Sequence, residues 1–271
     1  MDKIDSFEKI NILVNDIRSL RKGYLTNFFL DKKRHSIWIQ KGELFSMSFF
    51  GCHFLLHLTE SVNNLFYIAV NQKQLAEGLK TFLPMFPEQL VVDIVGDEKI
   101  ASIKELFIEQ SFYEYETLYR MNHVGTLEYS EIGDSRVVFA EKSDCQSIFD
   151  ILHSFFNPLS EQLPCYEEIV DFISNQCVLV FREAGKICGF IIFEVNGMTL
   201  YLRYWFVLPE YRDLKIGSKL FNEFLHAGRV TKRQLFWVIA NNRNAIKRYK
   251  HYGFNPENLF DYVLLKPAIK R

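Results

Sequence analysis

The chain has 271 residues, 48% of them hydrophobic and 24% charged, and its formal net charge is −1. These values suit a globular protein of two ordinary domains, and they exclude a disordered or low-complexity chain and a strongly basic nucleic-acid-binding protein. The longest apolar stretch, residues 49–58, is far shorter than the ~20 residues of a membrane-spanning helix, and the charged first residues lack the apolar segment of a signal peptide, so we expect a cytoplasmic protein with no membrane partner.

The N-terminal half combines strand-like runs with helical patterns. The predicted strands are residues 36–47, 52–59, 65–70, 90–95 and 113–121, the first two paired with each other, and the predicted helices are residues 74–82 and 100–110.

The C-terminal half follows the order β-α-α-β-β-β-α-β-α-β. Its predicted strands are residues 136–140, 178–181, 187–195, 198–208, 234–240 and 260–265, and its predicted helices are residues 143–156, 165–174, 216–228 and 244–252. Turn residues at Glu183-Ala184-Gly185 and at Asn196-Gly197 predict hairpins, and therefore an antiparallel meander of three strands.

The closing stretches of the two halves, residues 91–121 and 235–265, share the order strand, polar turn, helix, Phe and strand. We interpret this likeness as a diverged internal duplication, although a β-α-β order is common enough to arise independently. The domains would be residues 1–122 and 136–271, joined by a polar junction at residues 123–135. The predicted fold class is α+β, with two domains that each have a mixed, mostly antiparallel sheet flanked by helices.

Charge is spread unevenly along the chain. Residues 1–121 carry a net charge of −2, residues 122–199 of −8 and residues 200–271 of +9. The positive block predicts a compact polyanionic ligand, and the acidic block suits a cationic substrate, while scattered surface charge is the alternative explanation.

The cysteines have neither the short spacing of metal ligands nor the even number of a disulfide framework. They are Cys52, Cys145, Cys165, Cys177 and Cys188. We expect reduced thiols that pack as small hydrophobic side chains, and no metal site.

A proline-bounded turn within residues 205–220 leads from a strand into a helix. The first N–H groups of such a helix lack intrahelical partners, and the helix dipole is positive there. Gly217 allows close backbone approach, and Arg212, Lys215 and Lys219 supply positive charge. The pattern predicts an anion site, with an ordinary strand-to-helix turn as the alternative.

A second pattern lies on the next predicted helix, where five residues follow the spacing N-x-x-A-x-x-x-Y-x-x-x-G-F. They are Asn242, Ala245, Tyr249, Gly253 and Phe254. The first three share one face of the helix, and the glycine is placed to end it.

Together the two patterns resemble the GNAT superfamily of acyl-CoA-dependent N-acyltransferases. The turn is similar to the family's pyrophosphate loop, V-x-P-x-x-R-x-x-G-x-G/A, and the helix to its second motif; the resemblance covers residues 136–266, strand order included. The sequence departs from the loop at Lys215, where the family usually has glycine. A positive φ would strain a lysine by about 1 kcal/mol, and we favour a helical conformation that adds a charge without strain.

The resemblance implies a role for each matching residue. The backbone of Phe206 and Val207, on a strand that splays from its neighbour, would bond the pantetheine arm and the thioester carbonyl, with the Phe206 N–H as oxyanion donor. Arg212 would stand at the mouth of the pyrophosphate site. Asn242 would contact the pantetheine arm, and the Tyr249 hydroxyl would be the catalytic acid near the sulfur. The amides that hold the pyrophosphate would be those of Leu214, Lys215, Ile216, Gly217 and Ser218.

No general base is evident. The strand that often carries a glutamate in such enzymes has no carboxylate at residues 201–205. Glu194 on the preceding strand, His153 and a chain of water molecules are the alternatives. The alternative role for Tyr249 is that of a packed core aromatic.

The N-terminal half lacks the equivalent loop, because residues 71–75 contain no glycine and little charge. We expect a degenerate GNAT-like domain that binds no coenzyme and supports the other half, as in tandem members of the family.

The resemblance implies an N-acyltransferase, with acetyl as the first expectation, that moves an acyl group from acetyl-CoA or another acyl-CoA to an amine of a small molecule or peptide. The alternative is a non-catalytic acyl-CoA binding or sensing protein, which the missing base and Lys215 favour. A Fem-type aminoacyl transferase that uses charged tRNA also has two such halves, but it does not need the loop at residues 212–218. Nucleic acid is not an expected partner, and the sequence leaves the oligomeric state open.

Overall fold

The computed structural model describes residues 1–269, which form two compact units. The first unit contains Met1–Leu118, Pro158–Glu161 and the chain from Asn258 onward. The second unit contains Tyr119–Asn157 and Gln162–Glu257. The domain bounds predicted from the sequence concern an ancestral duplication, which compactness does not test, and they stay a prediction.

The described residues form helices and strands from end to end. In chain order they are β1 (Asp2–Lys3), α1 (Phe7–Ser19), β2 (Leu25–Thr26), α2 (Lys32–Lys41), β3 (Leu44–Phe49), β4 (Cys52–Leu58), β5 (Asn63–Ala69), α3 (Gln72–Phe82), β6 (Leu90–Gly96), α4 (Ala101–Ile108), β7 (Tyr113–Val124), β8 (Val137–Phe139), α5 (Cys145–Phe155), α6 (Tyr166–Ser174), β9 (Val178–Glu183), β10 (Lys186–Asn196), β11 (Thr199–Val207), α7 (Ile216–Ala227), β12 (Arg233–Ile239), α8 (Arg243–His251) and β13 (Asn255–Lys266).

The first unit is a sheet with the strand order β1-β3-β4-β5-β6, to which the later part of β13 adds antiparallel to β6. Because side chains alternate between the two faces of a strand, the sheet has a core on each face. Leu79 of α3 and Phe107 of α4 pack on one face. Ile10 of α1 and Trp38 of α2 pack on the other.

Helix α2 corrects the prediction of a strand over residues 36–47, of which only the part from Leu44 onward is extended. The Asp31 side chain caps the helix by accepting a hydrogen bond from the Arg34 N–H at 3.1 Å. Gly42, with φ of 72°, ends it. The residues between these two caps include aromatic and β-branched side chains, which are typical of a strand. The caps nevertheless favour a helix there. Helix α1 was not predicted.

The second unit has the strand order β8-β9-β10-β11-β12-β7, and the predicted element order of the C-terminal half is confirmed. Phe221 and Phe224 of α7 pack on one face of this sheet. Ile148 of α5 and Ile169 of α6 pack on the other.

Both predicted hairpins are present, the second with its loop one residue later than predicted. Ala184 and Gly185 take positive φ values of 48° and 79° in the turn between β9 and β10. Asn196 pairs with Thr199, so the loop between β10 and β11 is Gly197 and the residue after it. Gly197 has φ of 59°, which a residue without a Cβ adopts without strain.

Within residues 1–269, no helix is long and apolar enough to cross a membrane. That part of the chain also has no group of three or more His, Cys, Asp or Glu side chains that could hold a metal ion. Its cysteines form no disulfide bond. Burial raises the pKa of the Cys52 thiol to about 12, which suits a packed thiol and not a reactive one.

Candidate functional site

Strands β11 and β12 separate along their length. They are parallel neighbours from Thr199 to Tyr201 of β11, yet β11 continues to Val207 and β12 to Ile239. The pairing of β11 with β10 shifts register beside Tyr204, and such a bulge bends a strand and increases its twist. The last residues of β11 therefore present an edge on the side of β12, which we call the open edge.

The alternation of the ladder decides which residues face the open edge. The Leu208 N–H donates to the Cys188 carbonyl oxygen of the β10 side at 2.9 Å. Because alternate residues of a strand direct their backbone groups to the same neighbour, Phe206 also faces β10. The prediction of the Phe206 N–H as oxyanion donor is therefore wrong; the backbone groups on the open edge are those of Trp205 and Val207. The Arg212 Nε lies 3.5 Å from the Val207 carbonyl oxygen.

A short 3-10 helix, Pro209–Leu214, joins the open edge to α7. Between the two helices Lys215 has φ of 56° and ψ of 20°, in the left-handed region. The prediction of a helical Lys215 is therefore wrong, because the backbone takes a left-handed conformation at this residue, directly before α7 begins. The conformation costs a non-glycine residue about 1 kcal/mol.

The N-terminus of α7 has no side-chain cap. The first hydrogen bond of the helix runs from the Lys219 N–H to the Lys215 carbonyl oxygen at 3.2 Å, so helix geometry leaves the preceding amides without an intrahelical acceptor. Lys215 and Ser218 border an open groove of about 590 Å³ whose other side is formed by residues 130–135. The arrangement can bind an anion at the helix N-terminus with its remainder along the groove.

Gly217 lets α7 approach β11 closely. A Cβ at this position would lie 3.3 Å from the Trp205 ring, and Trp205 stacks on Phe221 of α7 with ring centroids 4.8 Å apart. The glycine that the sequence pattern marks for ligand approach thus also fits the close packing between the helix and the strand, where a methyl group would require Trp205 to shift by a few tenths of an ångström.

Lys219 lies in an ion pair, and the phosphate contact predicted for it stays a prediction. Its Nζ lies 2.8 Å from the Asp134 carboxylate. Hydrogen bonds, the strongest from Arg136 and the next from Lys219, hold the pKa of Asp134 well below its usual range, so the carboxylate stays charged. Arg212 and Lys215, which come directly before the helix, are exposed.

Asn242 caps α8. Its Oδ1 accepts a hydrogen bond from the Ala245 N–H at 3.2 Å, the usual use of an asparagine at a helix start. This cap uses the side-chain oxygen and leaves the side-chain amide N–H groups for a ligand, so the contact with a pantetheine arm stays a prediction.

The ring of Tyr249, on α8, packs where the two strands separate. It lies 4.3 Å from Phe236 of β12 and 5.9 Å from Trp205 of β11, centroid to centroid. Burial raises the pKa of Tyr249 to about 12, so the phenol keeps its proton at neutral pH. The structure thus brings Tyr249 beside the open edge and also packs its half-buried ring against the core, which agrees in part with the alternative role.

The two residues suggested as bases each have a partner. Glu194 lies 3.4 Å from the Arg203 guanidinium. It pairs with Tyr201, six residues before Val207, which is roughly 20 Å along a strand. His153 packs on Phe149 with centroids 4.1 Å apart.

Comparison with known proteins agrees with this geometry. Residues 145–254 match the family model described as the acetyltransferase (GNAT) family. These residues form a GNAT domain. It includes the open edge, the loop before α7, and α8.

Solved GNAT structures resemble the chain in fold at low sequence identity. An acetyltransferase from the GNAT family of Colwellia psychrerythraea is 14% identical, with a TM-score of 0.59 over 98% of each chain. A GCN5-related N-acetyltransferase from Sphaerobacter thermophilus is 14% identical, with a TM-score of 0.58 over 82% of this chain and 79% of that chain. A tandem GNAT protein from the clavulanic acid biosynthesis pathway is 9% identical, with a TM-score of 0.55 over 81% of this chain and 80% of that chain.

No curated protein matches the chain. At these identities the structural likeness concerns the fold alone, and it confirms the predicted α+β class with two GNAT-like domains.

Proposed function

We propose that the second unit is an acyl-CoA-dependent N-acyltransferase, with acetyl-CoA as the first candidate donor and an amine of a small molecule or peptide as the acceptor. One observation carries the proposal. Inside a GNAT domain, the open edge of β11 leads through a single short turn into the uncapped N-terminus of α7.

Donor binding would use the backbone more than side chains. Trp205 and Val207 would pair with the amides of the pantetheine arm in the way a neighbouring strand pairs with an edge. The amides before the first hydrogen bond of α7 would hold the pyrophosphate, with positive charge from Arg212 and Lys215. These residues fit the donor because they offer it N–H groups and cations, and Asn242 adds a side-chain amide.

Acyl transfer would then follow from the positions beside the open edge. The amine nitrogen attacks the thioester carbonyl carbon, and a backbone N–H of the open edge stabilises the oxyanion. The C–N bond forms, the C–S bond breaks, and the Tyr249 hydroxyl gives its proton to the sulfur. The proton lost by the amine returns to Tyr249 through solvent.

The engagement of Glu194 and His153 supports a second candidate, an acyl-CoA binding protein without turnover. Glu194 is paired with Arg203, and His153 contacts the Phe149 ring, so no residue is assigned as the base that takes a proton from an amine at the open edge. An amine that reaches the site unprotonated would not need either residue.

The release of free thiol from acetyl-CoA tests the proposal. The acceptors to be tried are alkyl amines, aromatic amines, polyamines and peptides with a free amino terminus. Calorimetry on the same protein measures binding of acetyl-CoA, with Gly217→Asp as a variant that places a negative charge and a larger side chain at the start of α7. We expect binding and thiol release in the wild type and neither in the variant. Binding without release on every acceptor would support the second candidate, and a lack of binding would overturn both.

A further inference from the structure

Strands β5 and β6 of the first unit repeat the separation seen between β11 and β12. They are parallel neighbours at Asn64 and Val91, yet β5 continues to Ala69 and β6 to Gly96. Helix α3 connects them, as α7 connects β11 and β12. The first unit therefore has its own edge of β5 facing β6, followed directly by a helix.

Residues 23–28, which we call the strap, lie along that edge. Strand β2 within the strap pairs antiparallel with β5, Leu25 with Ala69 and Thr26 with Ile68. The Thr26 hydroxyl donates to the Tyr67 carbonyl oxygen at 2.6 Å. The edge of β5 is thus covered by a segment of its own chain.

The side chain of Asn27, in the strap, bridges the two strands. Its Oδ1 accepts from the Tyr67 N–H at 2.7 Å, and its Nδ2 donates to the Leu65 carbonyl oxygen at 3.3 Å and to the Asp93 carbonyl oxygen of β6 at 2.9 Å. One amide group that both accepts from and donates to alternate residues of a strand reproduces the pairing of a neighbouring peptide, or of any amide in an extended ligand. Asn27 is buried, so these bonds satisfy backbone groups that water does not reach.

The helix N-terminus and the space beside it are filled as well. The Asn71 side chain caps α3 by accepting from the Gln74 N–H at 3.0 Å, whereas α7 has no such cap. A Cβ on Gly23 would lie 2.4 Å from the Val70 carbonyl oxygen, so the strap runs against the chain where β5 leads to α3. Both features that the second unit offers to a donor are occupied in the first.

We propose that the strap takes, in the first unit, the place that the acyl donor takes in the second, with the Asn27 amide standing for an amide of the pantetheine arm. We call the first unit a closed copy, that is, a GNAT-like domain whose donor site is filled by a segment of its own chain. The chain therefore binds one acyl-CoA, in the second unit. The identity of the donor rests on the proposed function, but the occupation of the β5 edge does not.

Residue-resolved amide hydrogen exchange on the ligand-free protein tests the strap directly. We expect the Tyr67 amide to be protected in the wild type and to exchange at least tenfold faster in Asn27→Ala. Asn63→Ala is the matched control, because it removes a hydrogen bond from the same strand to the Gln89 carbonyl oxygen without touching the strap. An unprotected Tyr67 amide in the wild type, or equal exchange in the two variants, would overturn the proposal, and the wild-type result decides even if Asn27→Ala does not fold.

Calorimetric titration with acetyl-CoA tests the closed copy. We expect one molecule bound per chain, none in Gly217→Asp, and no change in Tyr67 exchange when the wild type is saturated. Two molecules per chain, or a site that survives Gly217→Asp, would overturn the closed copy while leaving donor binding intact. A complete lack of binding would instead overturn the proposed function, and the ligand-free exchange would still decide the strap.

Discussion

The charge of Lys215 is expected to favour binding of an anionic ligand, whereas its backbone conformation is expected to lower the stability of the fold. Its left-handed conformation is one that glycine adopts freely and lysine does not, and its side chain borders the groove at the start of α7. A strained charged residue at the border of a groove favours the hypothesis that a ligand uses its charge.

Lys215→Gly separates the two effects. We expect the free energy of unfolding to rise by up to about 1 kcal/mol, because the strain is relieved. We expect the affinity for acetyl-CoA to fall about fivefold, the equivalent of ~1 kcal/mol for a charge at a helix N-terminus. Denaturant unfolding and calorimetry measure the two quantities.

Ala184→Gly is the control for this experiment, because Ala184 also has a positive φ, 48°, and lies exposed in the turn between β9 and β10. We expect a similar gain in stability with unchanged affinity. If Lys215→Gly and Ala184→Gly bound acetyl-CoA with equal affinity, Lys215 would have no role in donor binding.

Tyr249 is the residue through which a proton would reach the sulfur. With a pKa of about 12 the phenol is a proton donor throughout neutral pH. Because its pKa is raised by burial, the acid form is lost only as pH rises toward 12, so turnover should not fall near pH 10, where an ordinary tyrosine ionises.

Tyr249→Phe keeps the ring that packs on Phe236 and removes the hydroxyl. We expect kcat to fall about 100-fold, the lower range for loss of a general acid, with little change in KM for acetyl-CoA. Steady-state kinetics across pH 6 to about 10 measures both the loss and the absence of an alkaline limb in the wild type. Unchanged turnover would leave Tyr249 with its packing role only.

At the scale of elements, the contact between α7 and β11 places the helix N-terminus beside the open edge. The close approach of the two depends on Gly217, where a Cβ would meet the Trp205 ring at 3.3 Å. Helix propensity alone favours alanine over glycine by about 1 kcal/mol, so the substitution has one favourable and one unfavourable contribution.

Gly217→Ala should therefore change stability by less than about 1 kcal/mol, because the two contributions oppose each other. We expect it to weaken acetyl-CoA binding several-fold, because the first turn of α7 moves away from β11. Calorimetry and denaturant unfolding on the same preparation check both parts. A gain of stability with full affinity would mean that the contact leaves room for a methyl group.

The elements themselves show which parts of the structure a sequence can predict. The order of the C-terminal half and the two motifs could be predicted because apolar periodicity, turn residues and caps act over a few neighbouring residues. Helix α2 was missed because its caps, Asp31 and Gly42, lie outside the strand-like run that they enclose. Phe206 was given the wrong side of its strand because backbone alternation has to be counted from a ladder partner, here Leu208 with Cys188, which the sequence does not reveal.

At the scale of the whole molecule, the positive charge of residues 200–271 should make binding of the proposed donor depend on salt, unlike binding of uncharged analogues. This block has a net charge of +9 and contains the loop before α7. Charged ligands on exposed surfaces are bound less tightly as salt screens the interaction.

Raising ionic strength from about 0.05 M to about 0.5 M should weaken binding of acetyl-CoA about tenfold and leave binding of S-acetylpantetheine, which has no phosphate, nearly unchanged. Calorimetry with both compounds on the wild type is the measurement. Equal salt dependence of the two would show that the phosphates do not meet the positive block.

The partner of β13 has a consequence for how the protein is made. β13 pairs with β6 from Phe260 to Lys266, and the chain from Asn258 onward is part of the first unit. Although most of that unit is translated first, its sheet gains this strand only when the ribosome has released residue 266. Until then the nascent chain carries β6 with a bare edge, the kind of surface that invites pairing with another chain.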